Sequence, residues 1–197
     1  TRKRFVLLGT GKLLDSSDVN STAAQSFYAI LDGTGGSFNT VKAPITRSQL
    51  MQVSDLTTGV TLSNTSMGWY LELGTDTSVS WRMVSAPSAF NGLVAFSSLL
   101  TTGDACSPSG RSRIYIINYG SGQSVLLPAK TGYVESPAAV TELGFVEVTR
   151  TNRVTGAITR DVRAIAGANG GPKDVDYDPS KGISLRLLNW REVPAVN

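Results

Sequence analysis

At 197 residues the chain is long enough for one all-β domain, and its net charge of +3, from 18 basic and 15 acidic residues, is too small and too scattered for a nucleic-acid surface. It has no histidine and one cysteine, Cys106, which excludes Ser/His/Asp and Cys/His nucleophilic machinery, a histidine acid or base, and Cys- or His-rich metal sites. No apolar run approaches the roughly 20 residues of a membrane helix, so no membrane span is expected.

The chain enters a strand almost at once. Phe5 to Gly33 holds two short apolar runs, VLLG and FYAIL, separated by a polar loop and closed by the turn formers of DGTGG. Runs of that length bounded by Gly, Asp, Asn and Ser pair as antiparallel strands. With no export signal ahead of it, the start reads as a cut end with further units upstream. Thr34 to Pro44 is a polar loop, and TRSQLMQVS carries the helical signal of the chain: Thr46 and Gln49 have capping-box spacing, with Leu50 and Met51 on the next turn. From Gly59 the pattern is β again. In VSWRM, Val79, Trp81 and Met83 alternate with Ser80 and Arg82, which puts the apolar set on one face and Trp81 in the core.

Asn91-Gly92 is the strongest hairpin signal, since both residues tolerate positive φ. It opens a second copy of the first unit about 87 residues on: LVAFSS at Leu93 to Ser98 replaces VLLGTG and IYIINYGSG replaces FYAILDGTG. Tyr28 falls on Tyr115, Gly33 on Gly120 and, imperfectly, Gly9 on Phe96. Two units of about 40 to 45 residues per repeat fit four-stranded propeller blades, about four to five of them, as part of a larger propeller. SVLLP and Gly144 to Ile165 continue the series, with FVEVTR and ITRDVRAI flanking a hairpin loop of about five to seven residues. Ala166 to Pro179 reads as a surface excursion. ISLRLLNWREVP closes the chain as an apolar strand, with Ile183, Leu185 and Leu187 on one face and Trp190 on the other, able to complete an earlier sheet.

Three motifs invite chemistry. GTGK at Gly9 to Lys12 fails as a nucleotide loop, because Val6, Leu13 and Leu14 stand where glycine, Ser/Thr and glycine would be needed and a loop, DSSDVNST, follows where a helix belongs. Asp174, Asp176 and Asp178 alternate like the start of a calcium loop, but Pro179 and Leu185 occupy the positions of the sharp-turn glycine and the bidentate glutamate, so they remain weak metal candidates. Asp15 and Asp18 lack a partner nucleophile or acid and read as loop stabilisers. Cys106 is a free loop thiol or, if the protein is exported, the partner of an upstream cysteine.

Taken together, VLLGTGKLLDSSD, QSFYAILDG, GWYLEL, AFNGLVAFSSLLTTGDACSPSGRSRIYIINYGSG and LNWREVP resemble the C-terminal β-propeller region of PilY-type proteins, the type IV pilus biogenesis factors and tip adhesins. The resemblance spans residues 1–197 and implies a non-enzymatic exported protein of a Gram-negative bacterium, at the pilus tip or outer cell surface. Its implied partners are minor pilins and other pilus components, with a host or abiotic surface reached through an N-terminal part outside this chain. The family's calcium loop controls extension and retraction. It is absent from this sequence, so no cofactor is implied for this segment and calcium only for the full-length protein. Two other readings compete. IYIINYGSGQ also resembles a blade strand of quinoprotein dehydrogenases, although the adjacent cysteines and repeated tryptophan motif of those enzymes are missing. A glycan-binding propeller module is the third.

Overall fold

The structure, a computed structural model, describes residues 3–11, 13–34, 37–38, 44–76, 79–102, 109–127, 131–151, 154–156, 158–168 and 171–182. It is mostly β, as the alternating apolar runs require. The first sheet joins β1 (Lys3–Gly9), β2 (Ser26–Thr34), β5 (Gly68–Glu72) and β4 (Met51–Gln52) in that order, with β3 (Ser37–Phe38) on the end of β2. Its β4–β5 pairing is parallel; the other strand pairs among the described residues are antiparallel. A two-stranded ribbon, β6 (Thr75–Asp76) with β7 (Val79–Ser80), leads to the second sheet. That sheet is a plain meander of β8 (Ser88–Phe90), β9 (Leu93–Thr101), β10 (Gly110–Asn118) and β11 (Val134–Ser136). The third is β12 (Val140–Thr151), β13 (Ile158–Ala168) and β14 (Gly171–Val175).

The sheets stack face to face. Phe27, Ala29, Trp69 and Leu71 of the first meet Val94, Phe96, Tyr115 and Ile117 of the second in one core. At its centre Phe96 lies flat between Phe27, 4.1 Å away, and Tyr115, 4.6 Å away. The opposite face of the second sheet, Leu93, Ala95, Ile114 and Ile116, packs on Val140, Leu143, Ala164 and Ala166 of the third. Every residue of β9 is therefore buried, which explains why LVAFSSLLT reads as a continuous apolar and small-residue run rather than an alternation.

Stacking has a direction. Thr10 N–H donates to Ser26 O in the β1–β2 register, and bonded pairs alternate, so Leu8–Tyr28 is a hydrogen-bonded pair. Thr102 N–H donates to Ser109 O, which makes Phe96–Tyr115 the corresponding pair of β9–β10. Because chirality ties a residue's side chain to the direction of its backbone groups, these two pairs mark equivalent faces of their sheets. In the first sheet that face points away from the second; in the second it points toward the first. The sheets thus repeat head to tail, and like faces do not meet.

This alignment keeps Tyr28 on Tyr115 and moves the first strand by one residue, so that Leu8, not Gly9, corresponds to Phe96. The intervening loop differs in length by one residue, which is the source of the imperfect match. The recurrence links neighbouring sheets, since residues between β2 and β5 and the β6–β7 ribbon lengthen the first unit. Among the described residues there are accordingly three larger sheets and one ribbon, and the repeat is not two short units long.

Several local expectations hold. Asn91, at φ 48°, and Gly92, at φ 82°, turn β8 into β9, and Thr151 pairs with Ile158 across the β12–β13 hairpin. Trp81 is fully buried. Three are corrected. The stretch after Thr46 forms only a 3-10 helix, Arg47–Gln49: Gln49 Oε1 does accept Thr46 N–H at 2.8 Å, but Met51 already pairs as β4, and the sheet overrides the local helical preference. The α-helix is instead a single turn, α1 (Ser16–Val19), inside the supposed loop. Ala166 to Pro179 is no mere excursion, because β13 runs on to Ala168 and β14 returns beside it as an exposed edge. The terminal ISLRLLNWREVP segment, with Ile183, Leu185, Leu187 and Trp190, lies outside the described residues, as do Lys12 and Cys106.

Candidate functional site

The alternating aspartates do not converge. Asp174, on the β14 edge, takes Arg163 Nη1 at 2.6 Å. Asp178 caps the 3-10 helix Pro179–Lys181, accepting Ser180 N–H at 3.0 Å and Ser180 Oγ at 2.6 Å; those bonds hold its carboxyl below the usual carboxylate range. Asp176 contributes its main-chain carbonyl to Leu127 N–H at 3.1 Å. Positions i, i+2 and i+4 of one strand would share a face, but β14 ends at Val175 and Asp178 already caps the 3-10 helix, so the three do not continue one row. Among the described residues no three Asp, Glu or Cys side chains gather into a metal cage.

The GTGK and DSSDVN stretches serve packing. A Cβ at Gly9 would overlap the Met83 side chain and one at Gly11 the Met83 backbone, so the glycines let Ser80 to Met83 lie close against the end of β1. Asp15 caps α1 by accepting Ser17 N–H at 2.8 Å, and Asp18 Oδ2 accepts Leu14 N–H at 2.8 Å. The carbonyls at the other end of the turn also meet buried side-chain donors. Arg82 donates to Asp18 O and, at 3.0 Å, to Ser21 O, while Thr101 Oγ1 donates to Val19 O at 2.6 Å. Burial pulls the Arg82 guanidinium below its ordinary value, against the raising effect of the Asp18 charge. The strand alternation assigned Arg82 to the face opposite Trp81, correctly; what it missed is that α1 covers that face as well.

A chemically mixed surface among the described residues is a cleft of about 250 Å³ at the junction of the first and second sheets, bordered by Asp55, Glu72, Arg113, Tyr115, Thr131 and Tyr133. Arg113 is held between two rings, 4.1 Å from the Trp81 centroid and 4.5 Å from that of Tyr133, and its Nε donates to Glu135 Oε1 at 3.2 Å. Burial pushes the Tyr115 hydroxyl up to about 12, which keeps it protonated through the physiological range. Asp55 accepts Thr57 N–H at 2.8 Å and Thr57 Oγ1 at 2.7 Å, and its carboxyl is lowered by these bonds. An aromatic ring beside a fixed cation and carboxylates suits a polar ligand with a flat or ring-shaped face, because one wall offers dispersion and the other directed hydrogen bonds. Sequence reading missed this cleft: its residues come from four separated segments, and no local spacing announces them.

Comparison with known proteins gives no match to a protein-family model, a curated protein or a solved structure.

Proposed function

We propose that the chain is a non-enzymatic interaction module: the C-terminal portion of a β-propeller of the PilY type, acting in type IV pilus biogenesis, retraction control and surface adhesion. In this reading the protein is exported to the pilus tip or outer cell surface and docks minor pilins and other pilus components. The observation that carries the propeller reading is the head-to-tail stack of antiparallel sheets, with the second sheet buried on both faces. Blades of a propeller follow one another in this manner, whereas the two sheets of a sandwich turn their apolar faces inward toward one another. The pilus reading is supported by the sequence motifs quoted above.

Co-purification of the folded chain with the minor pilins of its source organism tests it. Retention of at least one pilin by the coupled chain, with none on mock-coupled resin, is the expected result. A folded chain that retains none of them counts against the pilus role.

A second reading, a glycan-binding module, is favoured by the Arg113–Tyr133 cleft. Soluble sugars that raise the thermal midpoint in a concentration-dependent way, with the effect abolished in Tyr133→Ala, would select it. The absence of any such shift, alongside pilin binding, would remove it.

A further inference from the structure

The cleft between the first and second sheets is richer in acceptors than in cations, and that bias narrows what it can hold. Its volume of about 250 Å³ lies below the roughly 300–1,000 Å³ of sites for drug-sized ligands, so it suits a single small ring. Arg113 is the cation of its wall, and Glu135 already balances that charge. The guanidinium lies between Trp81 and Tyr133, its Nε donates to Glu135 Oε1 at 3.2 Å, and its Nη1 reaches Leu73 O at 3.5 Å. Glu72, on the rim, is balanced in the same way by Arg47 at 2.6 Å, which itself lies over the Tyr70 ring at 4.0 Å.

Asp55 is different. Among the described residues it has no ion-pair partner. Thr57 N–H and Thr57 Oγ1 both bond to its Oδ1, at 2.8 and 2.7 Å, so Oδ2 takes neither. Those bonds favour the ionised carboxyl. With Arg47 and Arg113 each facing a glutamate, Asp55 leaves the cleft a negative charge that nothing described there offsets. A carboxylate only accepts, so the ligand must bring the donors, and a positive group is drawn to Asp55 where a negative one is repelled. The aromatic wall adds a second requirement. Tyr133 is backed by the Arg113 guanidinium, which rests in turn on Trp81, and this layered support presents a fixed ring to an apolar ligand face.

We propose that the cleft takes an amino sugar: one pyranose ring that packs against Tyr133, with its ammonium paired to Asp55, in preference to the neutral sugar and against the sugar acid. The inference rests on the glycan-binding reading and deepens it by naming the class of sugar. Both partners of the ammonium–carboxylate pair stay wet, so the selectivity is modest, about 2- to 5-fold for each step in ligand charge.

NMR titration of the intact chain with glucosamine, glucose and glucuronate tests it. The three probes share a ring and differ in charge, and mildly acidic pH with low salt keeps the amine protonated, Asp55 ionised and screening weak. Affinity is expected to fall in that order, about 2- to 5-fold at each step, with the Asp55 and Tyr133 amides shifting. Asp55→Asn keeps an oxygen for Thr57 and removes the charge. It is expected to bring the three affinities together while leaving that for glucose unchanged. Equal affinities in the unmodified chain, glucuronate binding tightest, or an order that persists in Asp55→Asn each overturn the proposal and leave a glycan site of another selectivity. No shift with any of the three probes overturns the glycan-binding reading itself, and this inference with it.

Discussion

The β1–β2 and β9–β10 hairpins have the same bonded-pair arrangement and equivalent faces, yet they live in different surroundings. β9 and β10 sit between two sheets, and Phe96 and Tyr115 are sealed. β1 and β2 end the described stack: Leu8, the equivalent of Phe96, is 37% exposed, and Val6 on the same face is 48% exposed. The inward faces behave oppositely: Phe27 and Ala29 are as buried as Ile114 and Ile116. Position in the stack, more than the strand sequence, decides what each side chain contributes. A tyrosine is tolerated on both outer-type positions because a ring with a polar tip suits a half-covered face as well as a covered one.

Substitution at equivalent positions sharpens this contrast. Phe96→Ala is expected to cost about 3–5 kcal/mol in urea unfolding, because it removes a ring held between Phe27 and Tyr115 and leaves a cavity that two facing sheets cannot close. A loss below about 1 kcal/mol would mean that the first and second sheets are not stacked as described. Arg82→Ala comes next, at about 2–3 kcal/mol. It strips the donors from Asp18 O and Ser21 O and so undocks α1, the element by which the first hairpin's loop covers the second face of the Ser80–Met83 segment. Arg82→Lys should recover only part of this, since an ammonium lacks the fork that reaches both carbonyls.

How much of this the sequence discloses depends on the range of the interaction. Asn91-Gly92 and the β12–β13 hairpin were legible because a turn is set by the residues within it. The Tyr28–Tyr115 equivalence was legible because a period-2 face survives in the second strand of each hairpin. The one-residue shift of Leu8 onto Phe96 was not, since it depends on where a polar loop of unmarked length ends. α1 escaped because a single turn carries too little propensity to stand out from Ser, Asp and Asn, which favour caps and loops equally. β14 escaped because an exposed edge strand of Gly, Pro, Lys and Asp has no apolar alternation to betray it. The Arg113 cleft depends wholly on tertiary assembly, as does the burial of Arg82.

The pH response tests the sealed hairpin from its own interior. Tyr115, pushed up to about 12 by burial, holds its proton in the folded chain after an unfolded tyrosine, near 10, has lost it. Its contribution is therefore complete below about pH 10 and declines as pH rises from about 10 to about 12, by about 1–3 kcal/mol. Unfolding at stepped alkaline pH should show this decline, and Tyr115→Phe should flatten it. An unchanged slope in Tyr115→Phe would mean that the phenol is not sealed between the sheets.

Leu8→Ala is the smallest expected effect and the one that closes the comparison. Leu8 occupies the same place in its hairpin as Phe96, with the same partner type across the pair, Tyr28 in place of Tyr115. With no sheet over it among the described residues, truncation removes only partly exposed surface and creates no enclosed cavity, so the cost is about 0.5–1 kcal/mol. A loss approaching that of Phe96→Ala would show that something covers the outer face of the first sheet in solution. The difference between the two alanine substitutions is thus a direct measure of whether the stack ends at β1 and β2.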